Sequence, residues 1–379
     1  MSFAFLFFAY YLAFQKKYFT AIFFSFLGSF SSYGSPPIAL ALSLIFLLKK
    51  EYKKMLIMIL PNIGYIAYVI YLTRFNPVTN DKIGKNIELF SFLKYYLVQI
   101  GTFFDVSFGP SLWVKVYYSI KQLSFLSFTV WAIAVIIFIQ LYETGNKRIS
   151  KKVFLSLIVM TFLSFGMLSL TGFYPQIAFN LCNRVTIYGS FLLSFVLVAI
   201  VMNNKITASI FFAFFLMVVL GISDHWKNWN DDQLKIFDNI SENEDLKKIE
   251  SGTMLFVSYN QYSRLGRLTH IEFFEGGIAS RVLRLATNRN YKVSNINKRF
   301  YYENDKLIDK KFGSIFQVSD YIHVYDSKAD KVLKIEKDNI QNYIDSLPAN
   351  SRHWLLLLGK DTFLMKIVLK LMPRLEYVF

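Results

Sequence analysis

Apolar stretches separated by short charged segments fill the first 222 residues. Eight can be delimited: Phe3–Phe14, Tyr18–Ser32, Pro36–Leu48, Met55–Leu72, Phe125–Leu141, Val153–Leu170, Val185–Met202 and Ile206–Ile222. A helix needs about 20 apolar residues to cross roughly 30 Å of hydrocarbon, so these stretches are near or somewhat below a full span. Ile206–Ile222 is apolar on all sides apart from Thr207 and Ser209, unlike a surface helix of a soluble protein. The pattern predicts a multi-pass α-helical membrane protein with about 7–8 hydrophobic helices.

Composition and charge support this interpretation. Hydrophobic residues make up 54% and charged residues 18% of the 379 residues, which is too apolar for an ordinary soluble domain. The net charge is +16, but residues 1–222 hold 18 Lys and Arg against 5 Asp and Glu, whereas residues 223–379 hold 24 against 21. The basic excess therefore belongs to the apolar part and indicates lysines at membrane boundaries. We predict the lipid bilayer as a partner and no nucleic acid.

Cationic residues mark every second connection between the apolar stretches, at residues 15–17, 49–54 and 147–152 and at Lys205. Because cytoplasmic loops are enriched in Lys and Arg, these connections are expected in the cytoplasm. The prediction is a plasma (inner) membrane protein, with residues 1–222 as the transmembrane domain and residues 223–379 as an extracytoplasmic domain. Met1 then begins outside, which predicts either an N-out first helix or, as we favour, a longer parent whose first part lies upstream.

The longest outward connection contains a different apolar segment, Leu93–Leu123. It alternates aromatic and aliphatic residues around Gly109 and Pro110. We expect two short amphipathic helices at the outer interface, joined by a Gly-Pro turn, because Trp and Tyr side chains suit the headgroup level. A single short span that enters and leaves on one side is the alternative.

After Ile222 the pattern becomes that of an α/β domain. Predicted elements are a helix over Trp226–Glu250, a buried strand over Thr253–Tyr259, a helix over Ile278–Ala286, a hairpin of Ile315–Tyr325 with Lys331–Glu336, and a helix over Asp338–Leu347. The tail Trp354–Phe379 is again apolar, with lysines on a recurring side. It is predicted either to lie on the membrane surface or to form the last core helix of the domain.

Asp105 is the acidic residue of the apolar part with the strongest case for a function. It lies between Phe103, Phe104 and Phe108, where a carboxylate without a partner is costly. Contact with headgroup water is the alternative explanation. Glu51 and Glu143 fall among lysines in predicted cytoplasmic loops, where they are expected to be solvated.

A second candidate site lies in the outward connection FYPQIAFNLCNR, where Arg184 stands at the outer end of a predicted span. A guanidinium there can bind a lipid-linked phosphate with two parallel hydrogen bonds. Asn183, Gln176 and Tyr174 add neutral hydrogen-bonding groups for hydroxyl-rich or phosphate ligands. The alternative is an arginine that extends to lipid headgroups without a specific ligand.

A third candidate is the polar and aromatic run Val257–Glu275, in which Arg264 and His270 are suited to a carbohydrate or lipid phosphate. A polar turn between core elements explains the same run. The single cysteine, Cys182, excludes an intrachain disulfide. The four histidines have neither a helical i, i+4 spacing nor a neighbouring cysteine, so no metal site is predicted.

Three segments resemble the later part of a bacterial integral-membrane glycosyltransferase of the GT-C class, the kind that uses polyprenyl-phosphate sugars. They are FFSFLGSFSSYGSPPIALALSLIFLLKKEYKK (Phe23–Lys54), the predicted interfacial helices Leu93–Leu123, and NRVTIYGSFLLS (Asn183–Ser194). The resemblance covers about residues 1–222. Family members carry a catalytic acid in the first outward loop, whereas this chain has no acid before Glu51. That departure agrees with a missing N-terminal part.

The resemblance implies transfer of a sugar from a polyprenyl-phosphate donor to an envelope acceptor on the outer face. Arg184 would hold the lipid phosphate, Leu93–Leu123 would wall the lipid groove, and the outward domain would position the acceptor. Asp105 would be the catalytic base, and a divalent cation assists in some family members. Two other functions stay open: a non-catalytic membrane scaffold that presents the outward domain, and a polysaccharide polymerase or flippase component.

Overall fold

The computed structural model describes residues 1–32, 34–75, 88–145, 150–171, 181, 187–259, 263–271, 277–310 and 313–379. The chain forms two compact units. The helical unit comprises Met1–Ser107, Ile137–Ala178 and Asn183–Phe212, and the mixed unit comprises Phe108–Ile136, Phe179–Cys182 and Ala213–Phe379. This division does not coincide with the one placed at residue 222 from the sequence, since Phe108–Ile136 and the residues from Ala213 onward group together.

Helices dominate the chain before residue 250. In chain order they are α1 (Ser2–Phe14), α2 (Tyr18–Phe30), α3 (Ser35–Leu48), α4 (Tyr52–Phe75), α5 (Leu89–Ser107), α6 (Pro110–Lys121), α7 (Phe125–Leu141), α8 (Lys151–Thr171), α9 (Ile187–Val201), α10 (Lys205–Glu242) and α11 (Glu244–Lys248). The predicted break at Gly109-Pro110 is confirmed, because α5 ends before Gly109 and α6 begins with Pro110. Proline suits the first position of a helix, where its missing N–H has no intrahelical acceptor.

Strands and shorter helices follow. They are β1 (Met254–Ser258), β2 (Ser263–Leu265), β3 (Leu268–Ile271), α12 (Gly277–Thr287), β4 (Lys292–Asn295), β5 (Phe300–Glu303), β6 (Lys306–Asp309), β7 (Ile315–Gln317), β8 (Tyr321–Asp326), β9 (Lys331–Glu336), α13 (Ile340–Ser346) and α14 (Phe363–Leu371). The predicted strand at Thr253–Tyr259 and the predicted helices at Ile278–Ala286 and Asp338–Leu347 each coincide with an observed element, within one or two residues at most ends.

The apolar stretches predicted from the sequence are helical, but most are shorter than a full span. In the part of the chain that the structure describes, three helices are long and apolar enough to cross a membrane, within Tyr52–Leu72, Lys151–Leu170 and Lys205–Glu242. The number is up to four if Leu89–Lys121 with Phe125–Leu141 counts as one span. A helix of 13 residues such as α1 rises only about 20 Å at 1.5 Å per residue. The finer prediction of 7–8 spanning helices is therefore not confirmed.

Exposed apolar surface supports membrane association. α7 buries none of its residues, although its sequence FLSFTVWAIAVIIFIQL contains no charge. A helix that is apolar on all sides and unburied in the protein is suited to a lipid environment. In the helical unit itself, Leu6, Ile38, Phe46 and Met58 are fully buried and form the core.

Two predicted boundaries were wrong. The helices expected at Ile206–Ile222 and Trp226–Glu250 are one continuous helix, α10, because residues 222–226 contain neither Gly nor Pro to interrupt it. α10 ends at Glu242, where the Asn243 side chain caps the next helix by accepting a hydrogen bond from the Leu246 N–H at 2.9 Å. In the predicted hairpin, the pairing with Lys331–Glu336 is confirmed, but the first strand, β8, begins at Tyr321. Ile315–Gln317 forms a separate strand, β7, which pairs with β6 in another sheet.

The main sheet of the mixed unit has the order β4-β1-β8-β9. β1 is parallel to both β4 and β8, and β8 is antiparallel to β9. Leu255 and Val257 of β1 pack with residues of α10, α11 and α12, while Phe256 packs with residues of α13. Helices thus contact both faces of the sheet, which confirms the predicted α/β character of the C-terminal region.

The apolar tail contributes to the core of the mixed unit. Leu355, Met365 and Val378 are buried together with Leu265 and Leu268 of the β2–β3 hairpin. Of the two predictions for the tail, a core element agrees with this packing.

Candidate functional site

Cation-rich connections meet at one end of the helical unit. The Lys53 ammonium lies 4.3 Å from the centroid of the Tyr18 ring, which brings the connection before α4 next to the connection before α2. Lys152 donates a hydrogen bond to the Leu48 carbonyl at 2.9 Å, which adds the connection before α8. The Gly145 N–H donates to the Met202 carbonyl at 3.3 Å, close to Lys205 in the sequence.

The connections before α3 and before α9 meet at the other end of the same helices. The Tyr188 hydroxyl, at the beginning of α9, donates to the Gly34 carbonyl at 2.6 Å, just before α3. The Tyr188 ring lies 5.7 Å from the ring of Phe3, at the beginning of α1. The cation-rich connections therefore meet at one end of the helical unit, the cationic end. The opposite end is called the uncharged end below, because the contacting residues Phe3, Gly34 and Tyr188 carry no charge.

Near the uncharged end, α5 buries a largely polar face. Its buried residues are Gln99, Thr102, Phe103 and Asp105. Phe103 lies directly against Gly189, the third residue of α9, where a Cβ atom would collide with the Phe103 ring. α5 also packs against α8, with the rings of Phe103 and Phe165 5.6 Å apart. Asp105 follows Phe103 by two residues and is only 7% exposed.

Gln99 lies on the same helix, six residues before Asp105, and its side chain is fully buried. In the described part of the chain, neither its amide oxygen nor its amide nitrogen has a hydrogen-bond partner. Thr102, between them, donates its hydroxyl proton to the Val98 carbonyl at 2.7 Å. Nothing in the sequence pattern singled out Gln99, because a lone glutamine in an amphipathic helix is ordinarily exposed.

The structure does not describe the other predicted site residues of this part of the chain, which are Tyr174, Gln176, Asn183 and Arg184. α9 begins at Ile187, three residues after Arg184, and its first turn carries the Tyr188 and Gly189 contacts. Asp105 is thus a buried residue near the helix that Arg184 precedes in sequence, and its predicted role as a base stays a prediction.

In the mixed unit, His270 belongs to a buried polar cluster with Gln122, His225 and Ser263. The Nε2 atom of His225 lies 2.6 Å from the Ser263 hydroxyl and 3.2 Å from Nδ1 of His270. Ser263 Oγ is also 3.1 Å from Nδ1 of His270. On the other side of the His225 ring, Nδ1 forms a short hydrogen bond with Gln122 Oε1.

These contacts form one continuous chain of hydrogen bonds. An amide oxygen only accepts, so Nδ1 of His225 carries the proton and its Nε2 accepts from the Ser263 hydroxyl. Ser263 Oγ in turn accepts from Nδ1–H of His270. Burial is the main cause that lowers the pKa of His270 to about 4, with further contributions from His225 and from the cations Lys115 and Arg352. The lowered pKa makes His270 neutral at pH 7.

Arg264 is the neighbour of Ser263 on β2 but is not part of this cluster. Along β2 the burial pattern alternates, so Ser263 and Leu265 are buried while Arg264 is exposed. The sequence therefore identified His270 but neither His225 nor Gln122, which lie 45 and 148 residues away along the chain.

A cleft of about 710 Å³ opens on the main sheet of the mixed unit beside α11. Its lining includes Asp245, Glu250, Tyr321, His323 and Lys334. The Lys334 ammonium lies 3.9 Å from the centroid of the Tyr321 ring. Burial, together with the charge of Lys334, lowers the pKa of His323.

Metal-ligating side chains do not cluster in the described part of the chain, where no group of three or more His, Cys, Asp or Glu could hold an ion. The two adjacent histidines, His225 and His270, both contact the hydroxyl of Ser263.

Comparison with known proteins gives no relative: no protein-family model, curated protein sequence or solved structure matches this chain.

Proposed function

We propose that this chain is an integral-membrane glycosyltransferase of the GT-C kind, which transfers a sugar from a polyprenyl-phosphate donor to an envelope acceptor. The observation that carries the proposal is the burial of Asp105 beside Gln99 and Thr102 near the uncharged end of the helical unit. Burying a carboxylate within a largely apolar helical unit has a free-energy cost, so we expect Asp105 to have a functional role.

The proposed chemistry assigns Asp105 the role of general base. The acceptor hydroxyl attacks the anomeric carbon of the donor sugar, its proton passes to the Asp105 carboxylate, and the bond between that carbon and the lipid phosphate breaks. In the same proposal, Arg184 binds the departing phosphate through its guanidinium, with Asn183, Gln176 and Tyr174 as neutral partners. Arg264 and His270 remain candidates for acceptor binding.

The proposed location is the plasma (inner) membrane, with the cationic end of the helical unit in the cytoplasm and residues 223–379 outside. Contacts among the cation-rich connections support this orientation, because all of them lie at one end of the helices. The reaction would then take place near the outer face, at the end where α9 begins.

The test compares envelope glycans in cells that produce wild type, Asp105→Asn or Arg184→Ala at equal membrane levels. Loss of a glycan in both variants supports the enzyme. An unchanged glycan profile in both would instead favour the scaffold.

A further inference from the structure

We propose that Gln99 binds a pair of neighbouring hydroxyl groups on a sugar or other polyol that enters the helical unit beside α5. This inference rests on the proposed function, to which it adds a residue that contacts the sugar. It names the ligand chemistry, a vicinal diol, and places it on the polar face that also holds Asp105.

The argument begins with the amide of Gln99. Its side chain is fully buried, and both of its polar atoms lack partners in the part of the chain that the structure describes. A buried amide without hydrogen bonds lowers stability, so an apolar residue of the same shape would serve the empty protein better. A ligand that supplies both hydrogen bonds removes this disadvantage.

Among the described residues, the hydroxyl groups of α8 form no hydrogen bond with the Gln99 amide. α8, which packs against α5, buries Ser156, Thr161, Ser164 and Ser169. The last three donate their hydroxyl protons to carbonyls of their own helix, at 2.9, 2.6 and 2.7 Å respectively. In the described residues, the Ser156 hydroxyl has no partner and therefore does not bond to Gln99 either. Hydroxyl groups that bond to their own helix backbone do not donate to an amide on another helix.

Amide chemistry then selects the ligand. The Gln99 oxygen accepts one hydrogen bond and its NH₂ group donates, so the best complement presents a donor and an acceptor side by side. Two adjacent hydroxyl groups do so. Gln99 and Asp105 are six residues apart on α5, or about 9 Å along the helix axis and about 120° around it. Thr102 lies midway between them in the sequence and is also buried, so a polyol bound at Gln99 would reach the carboxylate by passing Thr102.

Two sources supply such a diol: the sugar of a polyprenyl-phosphate donor and the glycerol headgroup of phosphatidylglycerol. The test uses the full chain in phosphatidylcholine nanodiscs and measures the rise in melting temperature caused by three probes. They are a polyprenyl-phosphate hexose, the same polyprenyl phosphate without sugar, and phosphatidylglycerol. Gln99→Met replaces the amide with an apolar group of similar shape, and Gln140→Leu, on an exposed position of α7, is the matched control.

For wild type and Gln140→Leu we expect the hexose-bearing probe to bind at least tenfold more tightly than the sugar-free probe. Gln99→Met should lose that difference, since one hydrogen-bonded polar group contributes roughly a tenfold change in affinity. It should also melt at a higher temperature than wild type without any probe. Equal stabilisation by phosphatidylglycerol, lost in Gln99→Met, would retain the diol site and assign it to the bilayer.

The inference is overturned if no probe distinguishes wild type from Gln99→Met. It is also overturned if Gln99→Met melts at a lower temperature without a probe, because the amide then has a structural or water-mediated role. A chain that binds the diol through Gln99 but transfers no sugar would refute the proposed function alone. A chain that transfers sugar with unchanged affinity in Gln99→Met would refute this inference alone.

Discussion

His225 and Ser263 are joined by a hydrogen bond of 2.6 Å between the imidazole Nε2 and the serine hydroxyl. The bond connects the second half of α10, which is continuous with its apolar first half, to the hairpin of β2 and β3. Gln122, just after α6, accepts from the opposite side of the same ring. One buried imidazole therefore links three elements that are distant in sequence. Removing it should lower the free energy of unfolding of the mixed unit.

Ser263→Ala should lower the free energy of unfolding of the mixed unit by about 1–3 kcal/mol, because two buried imidazole nitrogens lose a partner. Tryptophan fluorescence during denaturant unfolding in detergent measures this effect. Ser346→Ala is the matched control, since Ser346 is exposed and bonds only within its own helix. Equal stability of the two variants would contradict the hydrogen-bond chain.

Acid should destabilise the mixed unit through His270. Its pKa is about 4 in the folded protein against 6.5 for an ordinary histidine, so the unfolded state binds more protons between these values. Stability is then complete above pH 6.5 and falls as the pH drops towards 4, by about 1–3 kcal/mol. Trp226, whose ring lies 6.1 Å from that of His270, provides a fluorescence signal. A His270→Gln variant should flatten the pH dependence, and an unchanged slope would contradict this assignment.

Gly189→Ala should destabilise the helical unit, because the new methyl group would collide with the Phe103 ring. We expect a loss of about 1–3 kcal/mol from overpacking. Gly64→Ala is the control: a Cβ atom there meets nothing within 4 Å, and alanine favours a helix by up to about 1 kcal/mol over glycine. Thermal unfolding in detergent compares the two. Equal melting temperatures would show that α5 and α9 are not in close contact.

Orientation can be tested with cysteine labelling in a Cys182→Ser background. Lys151→Cys marks the cationic end of the helical unit, and Asp361→Cys marks an exposed position of the C-terminal tail. A membrane-impermeant maleimide added to intact cells should label position 361 and leave position 151 unlabelled until the membrane is opened. Labelling of both positions in intact cells would refute the proposed topology.

Much of the secondary structure could be predicted from the sequence, because apolar periodicity and the residues Gly and Pro determine where nearby helices and strands begin and end. The β8 and β9 hairpin was predicted because alternating residues face opposite sides of a sheet. β7 was misplaced because the preceding strand β6, with which it pairs, was not predicted, so Ile315–Gln317 was joined to the following strand. Helix lengths were less predictable, because apolar residues alone do not distinguish a short helix from a span.

The candidate sites were only partly predictable for the same reason. Asp105 was singled out because a carboxylate among aromatic residues is unusual in sequence. Gln99 is a candidate because of its burial and because its amide has no hydrogen-bond partner among the described residues, and neither property follows from the local sequence. His225 and His270 are 45 residues apart, and nothing in their local sequence indicates that a helix and a hairpin bring them together.

The most direct test of the proposed function measures sugar transfer by the purified full chain in nanodiscs, with a polyprenyl-phosphate hexose and isolated envelope glycan. Release of the sugar-free polyprenyl phosphate is followed by mass spectrometry. Wild type should release it in an acceptor-dependent reaction, and Asp105→Asn should slow that release by about 10²–10⁴-fold, the range for loss of a general base. Asp232→Asn, at an exposed position, should behave as wild type. Release by Asp105→Asn at the wild-type rate would contradict the role of the buried carboxylate.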